Sequence, residues 1–210
     1  IIDKIDFELL QKKPKWIVGY SDITVLHSHI NNMGIATLHS TMPINFEKNT
    51  LLSIDSMHNC LFSTPNIINI KSHFLNKTGK CSGQVVGGNL SILYSLLGSN
   101  SDLNTNGKIL FIEDLDEYLY HIDRMLLNLK RNQKFKNLKA LIVGGMTDLN
   151  DNEISFGKSY EQIILDYFGK LSIPVCFNFP VGHLNNNIAI KLGCNANLEI
   201  TDKEVFFVQK

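Results

Sequence analysis

The stretch WIVGYSDITVLHSHI, residues 16–30, joins a short apolar run to a helical pattern through a turn that contains Ser21. The run Lys15 to Gly19 is typical of a buried strand. Apolar residues then recur at helical spacing between Asp22 and Met33, at Ile23, Leu26 and Ile30. Gly34 is suited to a helix end, and IATLHS, residues 35–40, predicts another strand. Strand, helix and strand in this order predict part of a parallel α/β unit.

A second α/β region follows a turn-rich segment. A helix is predicted over Leu51 to Phe62, and residues 63–80, with STPN and NKTGK, then lose helical periodicity. We therefore predict a first domain over residues 1–66, a linker over 67–80 and a second domain over 81–210. In the second domain, strands are predicted at CSGQVVGGN (81–89), GKILFIED (107–114), ALIVGGM (140–146) and, as the final strand, PVCFNFPVGH (174–183); helices are predicted at SILYSLLGS (91–99), Leu119 to Leu129 and Tyr160 to Phe168.

The composition is that of an ordinary globular protein. Of the 210 residues, 44% are hydrophobic and 19% are charged, and 20 basic residues balance 20 acidic ones. This balance gives no electrostatic signature of a nucleic-acid or membrane binder, and no apolar run reaches the ~20 residues that cross a bilayer. The four cysteines are scattered and predict free thiols in a reducing compartment: Cys60, Cys81, Cys176 and Cys194. We expect no nucleic-acid partner, no membrane partner and no cofactor.

Ser21 has two interpretations. In a tight strand-to-helix turn its hydroxyl would be exposed as a nucleophile, with a backbone N–H nearby for an oxyanion. Serine is also a preferred helix N-cap, and Asp22 suits a first helical turn. Residues 19–23 have the first glycine of the G-x-S-x-G elbow, but Ile23 replaces the second. The local letters leave both interpretations open.

Two further residues could serve Ser21. His183 follows an apolar run and a glycine, where a loop histidine is suited to act as a general base or simply to face solvent. Glu113 ends a buried strand, at the sheet edge where α/β proteins bind ligands. Glu113 could equally cap a helix, and Asp114 and Asp116 compete with it for any role.

Metal and nucleotide sites are poorly supported. His27 and His29 are two residues apart, which places them on different faces of a helix, so no metal site is predicted. The pairs Gly87-Gly88 and Gly144-Gly145 lack the surroundings of a phosphate-binding loop. We interpret these pairs as tight backbone turns.

Five segments in order resemble the LD-carboxypeptidase family, serine peptidases of the murein tetrapeptide carboxypeptidase type: KPKWIVGYSDIT, ATLHSTMP, GQVVGGNLSIL, GKILFIEDLDEYLYHIDRML and PVCFNFPVGH. The resemblance runs from about Lys13 to Ile200. It implies a nucleophile at Ser21, a base at His183 and an orienting carboxylate at Glu113. It also implies an oxyanion contact from the Asp22 backbone N–H, and substrate contacts at Gly88 and Asn89.

For the fold, the resemblance implies a partial parallel-sheet nucleophile domain, followed by a mixed α/β domain that carries Glu113 and His183, with the active site at the cleft between them. The implied reaction releases the terminal D-alanine from murein tetrapeptides during cytoplasmic cell-wall recycling, without metal or cofactor, by an enzyme that is commonly a homodimer. One alternative is a microcin C-immunity peptidase of the same family. Members of that branch need an aromatic side chain on which the base of their substrate can stack. Because the sole tryptophan, Trp16, is predicted to be buried in a strand, a murein substrate is favoured. The other alternative is a non-catalytic α/β binding module.

The chain departs from the family pattern at two places. Leu184 follows the histidine where glycine is common, which could reshape the cleft. Family members also carry, before the serine, an N-terminal glycine-rich stretch that completes the oxyanion hole and that these 210 residues lack. We therefore expect a truncated form of a longer protein, with little activity on its own.

Overall fold

A computed structural model describes residues 1–62 and 65–209. The helices are α1 (Glu8–Lys12), α2 (Thr24–Asn32), α3 (Leu51–Phe62), α4 (Leu90–Ser95), α5 (Leu119–Arg131) and α6 (Tyr160–Phe168), with 3₁₀ turns at Ile2–Lys4, Ser21–Ile23 and Pro43–Asn45. The strands are β1 (Val18–Gly19), β2 (Thr37–His39), β3 (Asn66–Lys71), β4 (Gly79–Asn89), β5 (Ile109–Leu115), β6 (Ala140–Thr147), β7 (Val175–Cys176), β8 (Ile190–Leu192), β9 (Asn195–Ile200) and β10 (Glu204–Gln209).

The first sheet has three strands in the order β1-β2-β8. Strands β1 and β2 are parallel, and α2 connects them. The predicted parallel α/β unit is therefore confirmed. Strand β8, from near the end of the chain, joins β2 in the antiparallel direction.

The second sheet has seven strands in the order β3-β10-β9-β4-β5-β6-β7. Strands β4 to β7 are parallel, and β9, β10 and β3 extend the sheet in the antiparallel direction. Side chains of β5 alternate between two cores: Leu110 and Ile112 pack with α4 to α6, whereas Ile109 and Phe111 pack with β8 to β10. Burial on both faces explains the continuous apolar run of this strand. The predicted mixed α/β architecture is confirmed.

Several strands differ from the prediction. PVCFNFPVGH contributes only β7 and is not the final strand, because β8, β9 and β10 follow it. The predicted linker, residues 67–80, contains most of β3 and the start of β4, and β3 pairs with β10 along six residues. Ser63 and Thr64, in the predicted turn-rich segment, lie outside the described residues. The domain boundaries stay a prediction.

The glycine pairs lie inside strands β4 and β6, so their interpretation as tight turns is wrong. A Cβ on Gly87 would lie 1.8 Å from the Phe111 carbonyl oxygen, and one on Gly88 would lie 2.4 Å from Thr24 Oγ1. These glycines therefore let β5 and α2 approach the backbone of β4 closely.

None of the described helices combines the length and the apolar character that a bilayer span requires. Within residues 1–62 and 65–209, no three histidine, cysteine or acidic side chains gather as a metal-binding group.

Candidate active site

Ser21 lies on a strained turn between β1 and α2. Tyr20 is extended, with φ −151° and ψ −171°, and the chain then reverses at Ser21, whose φ is 60°. This left-handed conformation costs a residue with a Cβ about 1–2 kcal/mol. Such a turn is the geometry of a nucleophile elbow, which lifts a serine hydroxyl away from the sheet.

Ser21 does not cap α2. The helix begins at Thr24, its N-cap position is Ile23, and no side chain caps it. Ser21 Oγ makes no hydrogen bond to any residue in the described part of the chain. The capping interpretation is therefore wrong.

The elbow accommodates Ile23 through Gly19. A Cβ on Gly19 would lie 2.8 Å from Ile23 Cγ1, so the missing side chain at Gly19 leaves room for the bulky one at Ile23. In the G-x-S-x-G pattern both positions are small. Here one glycine is sufficient for the sharp turn.

The Asp22 N–H is available for an oxyanion. It is one of the first backbone donors of the turn, which have no partner within the helix. Across residues 1–62 and 65–209 it donates to no acceptor, whereas the next amide, that of Ile23, donates to the Tyr20 carbonyl oxygen. The Asp22 side chain is exposed.

Glu113 and His183 form a hydrogen-bonded pair. Glu113, near the end of β5, is fully buried, and its Oε2 accepts a hydrogen bond of 2.6 Å from His183 Nδ1. The His183 side chain is 14% exposed. With its proton on Nδ1, the neutral ring has Nε2 as an acceptor, which is the form that a general base requires.

The electrostatics favour charge on this pair. Burial alone would raise the pKa of Glu113, but the hydrogen bond from His183 and the neighbouring His39 ring outweigh it and hold this pKa at about 2. Burial would lower the pKa of His183, but its contacts with Glu113 and the charge of Asp114 raise it above 6.5. A buried carboxylate therefore stabilises the imidazolium that forms when His183 takes a proton.

Small residues bring the His183 loop onto β5. Gly182 has φ 116°, and a Cβ there would lie 2.8 Å from Glu113 Cβ and 2.8 Å from Glu113 Oε2. On β6, Gly145 lies under Leu184, since a Cβ at Gly145 would be 2.9 Å from Leu184 Cγ. The leucine that departs from the family pattern thus packs over a glycine.

Tyr20 links the serine turn to the pair. Its ring meets the His183 ring edge-on, with centroids 4.8 Å apart, and it immediately precedes Ser21. The turn that carries Ser21 therefore lies near the hydrogen-bonded pair of His183 and Glu113, and the assembly of the three residues as a catalytic triad stays a prediction. Tyr20 and His39 were missed by the sequence reasoning, although a histidine at the end of a parallel strand was a usable signal for His39.

The neighbouring acidic residues are engaged elsewhere. Asp114 accepts hydrogen bonds from Asn89 Nδ2 at 2.8 Å and from the Ser91 N–H at 2.9 Å; burial raises its pKa to about 6. Asp116 is exposed and accepts a hydrogen bond from Asn150 Nδ2. Neither competes with Glu113 for His183.

Gly88 and Asn89 have structural contacts. Gly88 faces Thr24, and the Asn89 N–H donates to Thr24 Oγ1 at 3.0 Å. The Asn89 side chain caps α4 by accepting from the Ile92 N–H. Substrate contacts at these two residues stay a prediction.

Trp16 differs from the prediction. It precedes β1 and is 40% exposed, so it is not buried in a strand. The argument for murein over microcin that rested on its burial is therefore wrong.

Comparisons with known proteins identify the family to which the chain is similar. The family model of the LD-carboxypeptidase C-terminal domain matches residues 82–198, and that of the N-terminal domain matches residues 1–40. A Bacillus subtilis relative, a probable murein peptide carboxypeptidase, is 34% identical over 95% of this chain and 64% of its own length. The Escherichia coli microcin C7 self-immunity protein MccF is 27% identical over 98% of this chain and 69% of its own.

A solved structure extends the match to the fold. The crystal structure of muramoyltetrapeptide carboxypeptidase from Oxalobacter formigenes superposes with a TM-score of 0.92 at 25% identity, over all of this chain and 72% of that one. This chain spans less than two thirds of the length of the Bacillus subtilis relative. Because the C-terminal domain model alone covers more than half of the 210 residues, the chain belongs to the LD-carboxypeptidase family.

Proposed function

We propose that the protein is a serine LD-carboxypeptidase that releases the terminal D-alanine from murein tetrapeptides. The observation that carries the proposal is the 2.6 Å hydrogen bond between His183 and Glu113 beside the strained turn of Ser21. Family membership supports a serine peptidase, and the name of the Bacillus subtilis relative supports a murein peptide as substrate.

The proposed chemistry begins at Ser21. His183 Nε2 accepts the proton of Ser21 Oγ while the oxygen attacks the amide carbonyl between the L-centre of meso-diaminopimelate or lysine and D-alanine. Glu113 fixes the tautomer of His183 and stabilises its positive charge. The Asp22 N–H donates to the oxyanion that forms on the carbonyl oxygen.

His183 then returns the proton to the amine of D-alanine as that bond breaks, which leaves an acyl group on Ser21. Water, deprotonated by His183, attacks the acyl carbon and restores the serine.

The cellular setting is also a proposal. Murein peptides released during wall turnover would be the substrates, and the resemblance implies cytoplasmic recycling by a homodimer. The first domain would carry the nucleophile, and the second would carry Glu113 and His183.

A microcin-type peptidase is the second candidate function. The observation that favours it is the 27% identity to MccF across almost the whole chain. A substrate of that class, an acyl-sulfamoyl adenylate, has an aromatic base where the murein peptide has none. The two candidates share the same three residues, so only a substrate assay separates them.

The test compares D-alanine release from a free murein tetrapeptide with cleavage of an aminoacyl-sulfamoyl adenosine. Because relatives are longer, the protein is assayed with any flanking sequence that its gene encodes. We expect D-alanine release that Ser21→Ala abolishes, while Ser95→Ala, on α4, leaves it unchanged. Cleavage of the adenylate alone would favour the microcin-type function, and turnover of neither substrate by folded protein would favour a binding module.

A further inference from the structure

His39 is a buried histidine that the proposed reaction does not use. It ends β2 and is 0% exposed, and its ring meets the Phe111 ring edge-on with centroids 5.0 Å apart. Neither ring nitrogen has a hydrogen-bond partner in the described part of the chain. Leaving a buried polar group unpaired costs about 1–3 kcal/mol, so this side chain requires an explanation.

An unpaired acceptor close to His39 belongs to Glu113. Its Oε2 accepts from His183, but its Oε1 is buried and has no partner among the described residues. His39 Nε2 lies 3.9 Å from Oε1. That distance is about 1 Å longer than a hydrogen bond, so a small rotation of either side chain would close it.

We propose that His39 is a positioning residue whose Nε2–H donates to Glu113 Oε1, so that the carboxylate is held between two imidazole rings. The inference deepens the proposed function, because it rests on the role of Glu113 in orienting His183. It assigns a donor to each oxygen of the buried carboxylate.

The neighbouring histidine, His27, is not available as a donor to Glu113. On α2, His27 uses Nε2 to donate to the Gly19 carbonyl oxygen at 2.9 Å, and burial lowers its pKa to about 3, so it is neutral. The ring centroids of His27 and His39 are 6.2 Å apart. The titratable groups around His39 come from four parts of the chain: Tyr20 before the elbow, His27 on α2, Glu113 and Asp114 on β5, and His183 in its loop.

The proposed contact should lower the pKa of His183. A donor on Oε1 withdraws negative charge from Oε2, which weakens the pull of Glu113 on the His183 proton. Removing that donor should therefore strengthen the pull and raise the pKa of His183. A side chain that only fills space would leave the His183 titration unchanged.

The experiment is an NMR pH titration of the chain with ¹⁵N-labelled histidine, in which the seven histidines are assigned by substitution. In His39→Leu we expect the pKa of His183 to rise by about 0.5 to 1 pH unit. A shift of this size corresponds to part of the free energy of one charge-assisted hydrogen bond. His39→Gln, whose amide donor lies near the position of Nε2, should keep the wild-type titration. His58→Gln, on the exposed face of α3, is the matched control.

An unchanged His183 titration in folded His39→Leu would overturn the inference. If that variant does not fold, Glu113→Gln gives the second reading: the His39 ring resonances should move and those of His58 should not, and unmoved His39 resonances would overturn it equally. Ser21 that fails to react with a fluorophosphonate in wild-type protein would instead remove the proposed function and leave the titration result standing.

Discussion

Replacement of Glu113 by glutamine should change how stability depends on pH. The Glu113 side chain is fully buried, and its pKa falls from 4.5 to about 2 in the folded protein. Each unit by which the pKa differs between the folded and unfolded states corresponds to about 1.36 kcal/mol. The charged carboxylate therefore contributes about 3 kcal/mol to the free energy of unfolding. Because the folded pKa is the lower one, this contribution is complete above pH 4.5 and is lost as the pH falls through 2.

Glutamine does not titrate, so the variant lacks this dependence. The difference in unfolding free energy, wild type minus Glu113→Gln, should shrink by about 2 kcal/mol between pH 5 and pH 3. Glu113→Gln also removes the main cause of the raised pKa of His183, so the His183 titration is followed in both proteins and its contribution is subtracted from the difference. Asp114 has the opposite behaviour, since its raised pKa gives stability that is lost as the pH rises through 6; the charge of Glu113 contributes to that raised pKa, so Glu113→Gln also changes the contribution of Asp114.

The assay is urea denaturation followed by far-ultraviolet circular dichroism at several pH values between 3 and 5. Glu153→Gln, at an exposed position, controls for the loss of one negative charge. A difference between wild type and Glu113→Gln that stays constant across the window would refute the reasoning, because Glu113 would then gain nothing from its buried partners.

Two further predictions concern backbone strain near the site. Ser21→Gly should be about 1 kcal/mol more stable than Ser21→Ala in urea denaturation, because glycine adopts φ 60° without the strain that the Cβ of alanine introduces; equal stabilities would argue against a strained elbow. Gly182→Ala should lose more stability than Gly157→Ala, about 3 against about 1 kcal/mol, since both have positive φ but only the first places a Cβ against Glu113. Similar losses in the two variants would mean that the loop accommodates the methyl group.

Strong local patterns made part of the fold predictable. The helices at Leu51–Phe62 and Tyr160–Phe168 have the predicted bounds, because their apolar residues recur at helical spacing. Strand β9 was missed even though polar and apolar residues alternate along NANLEI, which was a usable signal, whereas NIINIK in β3 and EVFFVQ in β10 do not alternate in sequence. Strand β8 has three residues, all buried, and so short a run carries no period.

The site was predictable in its parts and not in its geometry. The resemblance to the family identified Ser21, Glu113 and His183 as candidates. The sequence around Ser21 did not decide whether this residue is a helix N-cap or a nucleophile. The backbone conformation at Ser21 separates these interpretations, and it depends on how Ile23 packs over Gly19. The approach of His39 to Glu113 joins residues 74 positions apart (113 − 39), so only the assembled sheets create it.

The central claim is that His183 and Glu113 activate Ser21. The most direct measurement is peptide mapping by mass spectrometry after reaction with a fluorophosphonate, on the protein with the flanking sequence that its gene encodes. We predict one modified residue, Ser21, and loss of the modification in His183→Ala. Folded protein that stays unmodified, or that is modified at another serine, would contradict it.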